Sequence, residues 1–487
     1  MDTGFAGIRG GVLALGLALA VAAVGCQSQS FEEKFAPGEI DLYDDLYAVT
    51  TVGPDNAWVA GYFGAVYRTR DGGTHWRKLS PPTEKSLYDI DFATSRDGWT
   101  VGRRGLILHT TDGGDSWERQ KLERQPAHHV FSIAAVTAQT AWAVGEWGGR
   151  YVTHDAGKTW EDHSFLVTEG HPSFRYLTEQ ELKKYYSGGK IYDDMYLNDV
   201  MFLDPQHGWI IGEYGFTYWT DNGGDSWQKG KIVGELSIDP VEFREGQKEL
   251  EKSQWGPLFE VAEKLLQKEY LRIRIEGCLT RSELAKYETY IADERAESVR
   301  DFLEGEGVGQ ERIRIQNATP MDQETVDMVA FAKTKLCEGP PKVYINLLET
   351  PFLFDVKFKD DMNGIIAGLG GVVLRSSDGG RTWRYVKSNS KQAIFSADFG
   401  SAAVVAVGEK GLERMSLDAG YHFVKPPEGA MPELFAFMRD LRFATPERGW
   451  IVGAAGMVLR SDDGGLTWKY ALKKGGVRAS ERDAAGE

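Results

Sequence analysis

The chain has 487 residues, with 56 Lys and Arg against 72 Asp and Glu, a net charge of -16 at neutral pH. That length exceeds one ordinary domain and can bury a large core. The acidity argues against nucleic acid as a partner, since a polyanion is held by clustered cations, and otherwise speaks only of solubility.

Residues 1–26 read as a targeting segment. Arg9 is the only basic side chain there, and the apolar run 12–24 has the length of a secretory h-region rather than of a membrane span. Ala23-Val24-Gly25-Cys26 resembles a bacterial lipobox, which implies cleavage before Cys26 and lipid on its sulfur. An ordinary signal peptide and an uncleaved anchor are the alternatives. Residues 27–40 read as a polar tether. Gln27 stands where an Asp retains enterobacterial lipoproteins at the inner membrane, and so points to the outer membrane.

From about residue 41 to 472 one unit recurs seven times. Its landmark is TTDGGDSW at 110–117, with copies at 69–76, 153–160, 220–227, 376–383, 416–423 and 461–468. Before each copy come an apolar strand of the type DIDFAT, a turn, a GWTVG-like strand, a small turn and an LILHT-like strand. A unit is therefore four short strands, A to D; in the second unit A is 89–93, B 99–102 and C 106–110, and D begins at Trp117. Four-stranded units at intervals of about 40 residues predict an all-β fold, a seven-bladed β-propeller. Asp71, Asp112, Asp155, Asp221, Asp378, Asp418 and Asp463 are expected to bond the N–H groups of their own turns, with Gly supplying positive φ. No chemistry is assigned to them. Eleven of the 14 Trp occupy repeat positions and read as core.

Two stretches interrupt the repeats. Residues 163–197 carry Thr178 and Glu181 at capping-box spacing and Gly188-Gly189 as a stop, which predicts a short amphipathic helix. Residues 231–350 switch to alternating helices and strands and predict a small inserted α/β module. It separates propeller residues 41–230 from 351–472, and a polar tail occupies 473–487. Cys278 and Cys337 both fall in the module. In an exported chain they form a disulfide or remain two buried thiols.

Strand order puts the B–C turns and the D-to-A crossovers on one face, and both insertions are crossovers. Phe63, Arg103, Arg104, Trp147 and Tyr214 sit in those turns as candidate partner anchors; the alternative is that the insertions cover them. Asp89, Asp199, Asp355 and Asp440 open A strands, with Ser132 and Ser396 in two more, a broken ring round the axis. Such a ring is either an acidic mouth for a cation or basic segment, or a set of bonds to the neighbouring inner strand's backbone. No H-E-x-x-H, G-x-S-x-G or phosphate loop is present. His128-His129 reads as a loop element, and neither a metal nor a cofactor is expected. The expectation is a protein that is not an enzyme, although an acidic chain leaves paired carboxylates for glycoside hydrolysis open.

The landmark resembles the BNR or Asp-box repeat, S-x-D-x-G-x-T-W. The wider unit is similar to the seven-bladed family of the photosystem II assembly and stability factor of cyanobacteria and chloroplasts, over about 300 residues in all seven units. That resemblance implies a non-enzymatic factor holding a protein partner and aiding assembly or stability of a membrane complex, here lipid-anchored and periplasm-facing. RIRIEGCLT with IADERAESVRDFLEGEGV resembles the OmpA-like peptidoglycan-binding domain, over about 80 residues. Carried over, the Arg that grips the diaminopimelate carboxylate falls on Arg295, its partner Asp on Thr280, and the Asn after Tyr287 on Glu288. Thr280 removes the anion that would pair with the ligand's ammonium, so the implied peptidoglycan site is degenerate. Two further readings are a peptidoglycan-associated scaffold and a glycan-binding or sialidase-like propeller; the F/Y-R-I-P motif of sialidases is missing.

Overall fold

The computed structural model describes residues 44–471 apart from 125–126, 170–173, 175–176, 234–237, 268–271, 288–289, 317–335, 338 and 348–351. The targeting segment with Cys26, the tether, Glu288 and the polar tail lie outside the described residues.

Alternating apolar residues bounded by Gly-rich turns fold into seven antiparallel sheets. Their first strands are Leu46–Val52, Leu87–Phe92, Val130–Ala135, Leu197–Phe202, Leu353–Phe358, Ile394–Phe399 and Met438–Phe443. Six of the seven second strands, such as Gly98–Gly102 (GWTVG), are buried throughout because other sheets cover both of their faces. Consecutive first strands touch, and the seventh touches the first, so the sheets close into a ring with the radial layout of a β-propeller. Among the described residues no strand is exchanged at the closure: sheet one is built from residues 46–79 and sheet seven from 438–470. Side chains and turns hold the join. Gly456 N donates to Asp44 O at 2.8 Å, Arg460 Nη1 donates to Gly72 O at 2.6 Å, and Trp76 meets Trp450 edge-on at 5.6 Å.

Each landmark turn is tied by its own side chains. Thr110 Oγ1 donates to Asp112 Oδ1 at 2.8 Å and accepts Gly114 N at 2.8 Å, while Asp112 accepts Ser116 N at 2.9 Å and Ser116 Oγ at 2.6 Å. Burial opposes ionisation, but the bonds from Ser116 and Thr110 outweigh it and hold Asp112 down at about 2. In the fourth copy Asn222, not Asp221, takes this place: its amide oxygen accepts Ser226 N at 3.1 Å. TDN shifts the acid by one residue, and the amide reproduces the acceptor. The turns also join sheets, since Trp58 Nε1 donates to Gly113 O and Trp209 Nε1 to Gly379 O, each at 2.9 Å.

Two sheets depart from four strands. Sheet six has three, and its fourth position is a single bridge between Met415 and Val424. Two residues on stands Pro426, which has no N–H with which to continue the ladder. Sheet five gains a fifth strand, because Lys231–Val233, at the head of the inserted stretch, pairs in parallel with Thr382–Val386.

In the first insertion the helix Glu179–Tyr186 carries the Thr178–Glu181 capping box. The second folds as an α/β module. Strand Ile273–Gly277 pairs in parallel with Ile313–Gln316 and antiparallel with Lys342–Leu347, and helices Trp255–Gln267 and Tyr290–Gly305 cover the sheet. Leu258, Leu265, Ile273, Ile275, Val299 and Leu303 form its core. Gly277 lets strand and helix approach, since a Cβ there would lie 1.9 Å from Ala292 O. Cys278 and Cys337 are joined by a disulfide, with Cα atoms 5.3 Å apart.

Gly73 is the glycine on which ring closure bears hardest. Its φ is +87°, and a Cβ would lie 1.9 Å from the Trp450 ring of sheet seven. Gly73→Ala is expected to destabilise the protein by about 2–4 kcal/mol, positive-φ strain and overpacking combined. Gly53→Ala, at φ +67° in open space, should cost only about 1 kcal/mol. Urea unfolding of the two variants measures the difference.

Candidate functional site

The B–C turns and the crossovers do share a face. Gly148 N donates to Met195 O at 2.7 Å, Phe165 N to Gly148 O at 3.0 Å and Glu213 N to Tyr196 O at 2.9 Å. In all seven turns the second residue is left-handed: Phe63, Arg104, Trp147, Tyr214, Gly370, Lys410 and Ala455, with φ between +51° and +69°. An L-residue is disfavoured there by about 1–2 kcal/mol, yet five of these positions carry large side chains. Phe63 is 61% exposed, Trp147 39% and Tyr214 37%, so the insertions leave the rings accessible. Arg103 and Arg104 are exposed beside Lys85 and Arg119. Burial pushes the Lys85 ammonium down, and the nearby Arg119, Arg104 and Arg103 push it further. Among the described residues no carboxylate is paired with these four cations.

A second aromatic set escaped the sequence reading. Every first strand contains a β-bulge at the residue before the axial position, at Tyr47, Tyr88, Phe131, Asn198, Phe354, Phe395 and Arg439. A bulge re-aims the side chain it carries. Here the rings meet across sheet boundaries: Tyr88 and Phe131 at 5.9 Å, Phe131 and Tyr196 at 5.9 Å, Phe354 and Phe395 at 5.7 Å. The Arg439 guanidinium lies 5.0 Å from the Phe395 ring and 4.6 Å from that of Phe437. Five of seven bulged residues are aromatic, and that recurrence was the available signal.

The four aspartates lie one residue further along, at the axis. Asp89 accepts Ile133 N at 2.9 Å, Asp199 accepts Val356 N at 2.9 Å, Asp355 accepts Ala397 N at 3.1 Å and Asp440 accepts Val49 N at 2.8 Å. Ser132 Oγ accepts Val200 N at 3.2 Å and Ser396 Oγ accepts Leu441 N at 3.1 Å. Each bond runs to the next sheet's backbone. Ser132 Oγ is also 2.8 Å from Asp89 and 2.7 Å from Asp199, but one hydroxyl proton serves only one of them. The other carboxyl must supply its own proton, and burial together with the Asp199 charge pushes Asp89 up to about 8. Lys357 enters this ring and pairs with Asp355. No group of three or more His, Cys, Asp or Glu among the described residues could hold a metal ion.

In the module, Thr280 caps the helix Arg281–Tyr287. Its Oγ1 accepts Glu283 N at 3.2 Å, and Glu283 Oε2 accepts Thr280 N at 3.2 Å. Arg295, on the helix Tyr290–Gly305, is fully buried and ion-paired. Nη1 donates to Glu283 Oε2 at 3.0 Å, Nη2 to Glu283 Oε1, and Nε to Gln247 O at 2.7 Å. Burial works to raise Glu283, but the bonds from Arg295, Gly246 N and Thr280 N bring it below the ordinary carboxylate value. The guanidinium that would grip a ligand thus has its counter-ion within the chain.

Two outcomes are expected. Glu283→Ala should lower the module's stability by about 3–5 kcal/mol, because it leaves a buried guanidinium unpaired. Faster hydrogen exchange over Ile273–Gly277 would report it. A depressed carboxyl stabilises above its unfolded pKa and ceases to as pH falls through the folded one, so Glu283→Gln should also weaken the acid sensitivity of those amides. Asp89 works in the opposite sense. Its raised pKa favours the fold at low pH, and the advantage is lost as pH rises through about 8. Asp89→Asn, neutral throughout, should flatten the fall in melting temperature between pH 5 and pH 8.5.

Residues 27–188 match the family model of the photosynthesis system II assembly factor YCF48. Over 52 residues the chain is 40% identical to the photosystem II assembly lipoprotein Ycf48 of Prochlorococcus marinus (strain MIT 9313), a match spanning 11% of this chain and 16% of that protein. Among solved structures, YCF48 bound to D1 peptide aligns with TM-score 0.47 at 16% identity, covering 88% of this chain and 97% of that one. The GH74 xyloglucanase of Xanthomonas campestris aligns with TM-score 0.48 at 8% identity, covering 90% of this chain and 55% of that one. Likeness at that level transfers no site.

Proposed function

We propose that this protein is a non-enzymatic, lipid-anchored factor of the cell envelope. It faces the periplasm from the outer membrane, holds a protein partner on its turn-and-crossover face, and aids assembly or stability of a membrane complex. The observation that carries this reading is the strain at the B–C turns. Gly370 and Ala455 fill the left-handed position with little or no side chain, whereas Phe63, Arg104, Trp147 and Tyr214 fill it with large exposed groups. Such residues contribute little to the core and stand on a stiff ring, as interface anchors do. The family match over residues 27–188 supports a complex of the photosystem II kind as partner.

Crosslinking in the native envelope, followed by identification of the captured protein, tests the reading. Phe63→Gly and Trp147→Gly should hold stability or raise it by up to about 1 kcal/mol, since they relieve a left-handed L-residue. The same variants should lose most of the capture. Unchanged capture would remove the face from consideration. Retention on purified sacculi that soluble peptidoglycan fragments compete away would favour a cell-wall scaffold instead.

A further inference from the structure

The corner between sheets two and three carries two imidazoles that serve neither the core nor the ring. His129 lies beside the bulged aromatics, its ring 5.8 Å from Tyr88 and 6.2 Å from Phe131, with Nδ1 3.4 Å from Tyr88 Oη. Its backbone N donates to Glu146 Oε2 at 2.8 Å. His128 Nδ1 is 3.9 Å from Glu146 Oε2, and its ring is 5.9 Å from Trp147. Arg103 and Arg104 face His129 from the turn of sheet two and Arg124 faces His128 from the crossover, while Glu146 faces both from the turn of sheet three. Tyr88 and Tyr196 complete the titratable surroundings. Among the described residues one carboxylate therefore faces two imidazoles and three guanidiniums.

We propose that His128 and His129 make docking at this corner proton-linked, so that a partner segment bearing carboxylates binds more tightly as pH falls. The inference rests on the turn-and-crossover face being the docking surface. Partial burial, with the guanidiniums of Arg124 at His128 and of Arg103 and Arg104 at His129, pushes both imidazoles down against the opposing pull of Glu146, and so resists their protonation. A carboxylate from a partner removes that resistance. Binding and protonation then favour one another by the same factor, as linkage requires. Each imidazole whose pKa the partner raises by one unit corresponds to about tenfold in affinity.

An oligoaspartate peptide is a suitable probe, being ionised throughout the range, with an oligoasparagine peptide as control. Its affinity for the full chain is expected to rise about tenfold or more between pH 7.5 and pH 5.5. His128→Gln/His129→Gln should bind as weakly at pH 5.5 as the wild type does at pH 7.5, and His128→Gln alone should fall between. Asp89, Asp199, Asp193 and Glu213 also titrate near this window, but they remain in the double variant and so are separated from the imidazoles. Trp147 supplies a readout independent of the peptide. Protonated imidazole quenches indole, so the emission difference between wild type and Trp147→Phe should fall with a midpoint below 6.5 and persist unchanged in His128→Gln. Equal peptide affinity at the two pH values, or a pH response that survives in the double variant, would overturn the proton linkage and leave the docking face standing. Absence of peptide binding at either pH, with the Trp147 signal still titrating, would overturn both.

Discussion

Six of the seven joints in the ring are made the same way. An oxygen near the start of one inner strand accepts the backbone N–H of the next, from Asp89, Ser132, Asp199, Asp355, Ser396 and Asp440 in turn. Among the described residues the first and seventh sheets share no strand, and the last of these bonds, Asp440 to Val49 N, crosses the join between them. Sheet one has Ala48 at this position and offers no oxygen. Its joint moves two residues on, where Thr50 Oγ1 donates to Asp91 at 2.7 Å, and Asp91 in turn accepts Ala135 N at 2.8 Å. Carboxylates crowded on an axis repel each other. Lys357 among them, and the proton shared at Ser132, make the arrangement tolerable.

A ring closed in this way can carry local strain. The left-handed turns are disfavoured by about 1 kcal/mol or more in the six sheets where a non-glycine residue fills them, and the bulge and the turn each recur at one place in every sheet. The bulge sets a half-buried side chain beside its counterpart on the neighbouring sheet, and the turn holds an exposed one. The bulged rings meet across sheet boundaries, whereas the large turn residues leave much of their side chains in water. Phe63, Trp147 and Tyr214 thus stand exposed on the same face as Arg103 and Arg104, on a support that ordering of a partner need not deform.

The repeat was legible because its period, its Gly pairs and its buried Trp residues are local. So was the helix at Glu179–Tyr186, whose cap lies within four residues. The shared face of turns and crossovers followed from strand order alone. What could not be read depends on register or on distance. Tyr47, Tyr88, Phe131, Phe354 and Phe395 look like ordinary strand residues until the ladder slips by one. Asn222 displaced Asp221 because an amide oxygen accepts the same bond, which a search for carboxylates overlooks. Glu283 was invisible as the partner of Arg295, since the site is completed by the backbone of Arg244 and Gln247, about fifty residues upstream of the arginine.

That buried pair bears on where recognition can occur. Arg295 is bonded to both oxygens of Glu283, to Gln247 O and to Arg244 O, and its guanidinium lies 5.5 Å from the Phe243 ring. A ligand carboxylate could take this guanidinium only by displacing Glu283 and leaving a buried carboxylate without its counter-ion, a penalty of several kcal/mol. Its own attraction would have to exceed that before any affinity appeared. Arg103 and Arg104 differ in both respects, being already in water and without an acid to displace. An anionic group therefore meets less resistance at the rim of the ring than in the module, even though the module carries the sequence that resembles a ligand-binding fold.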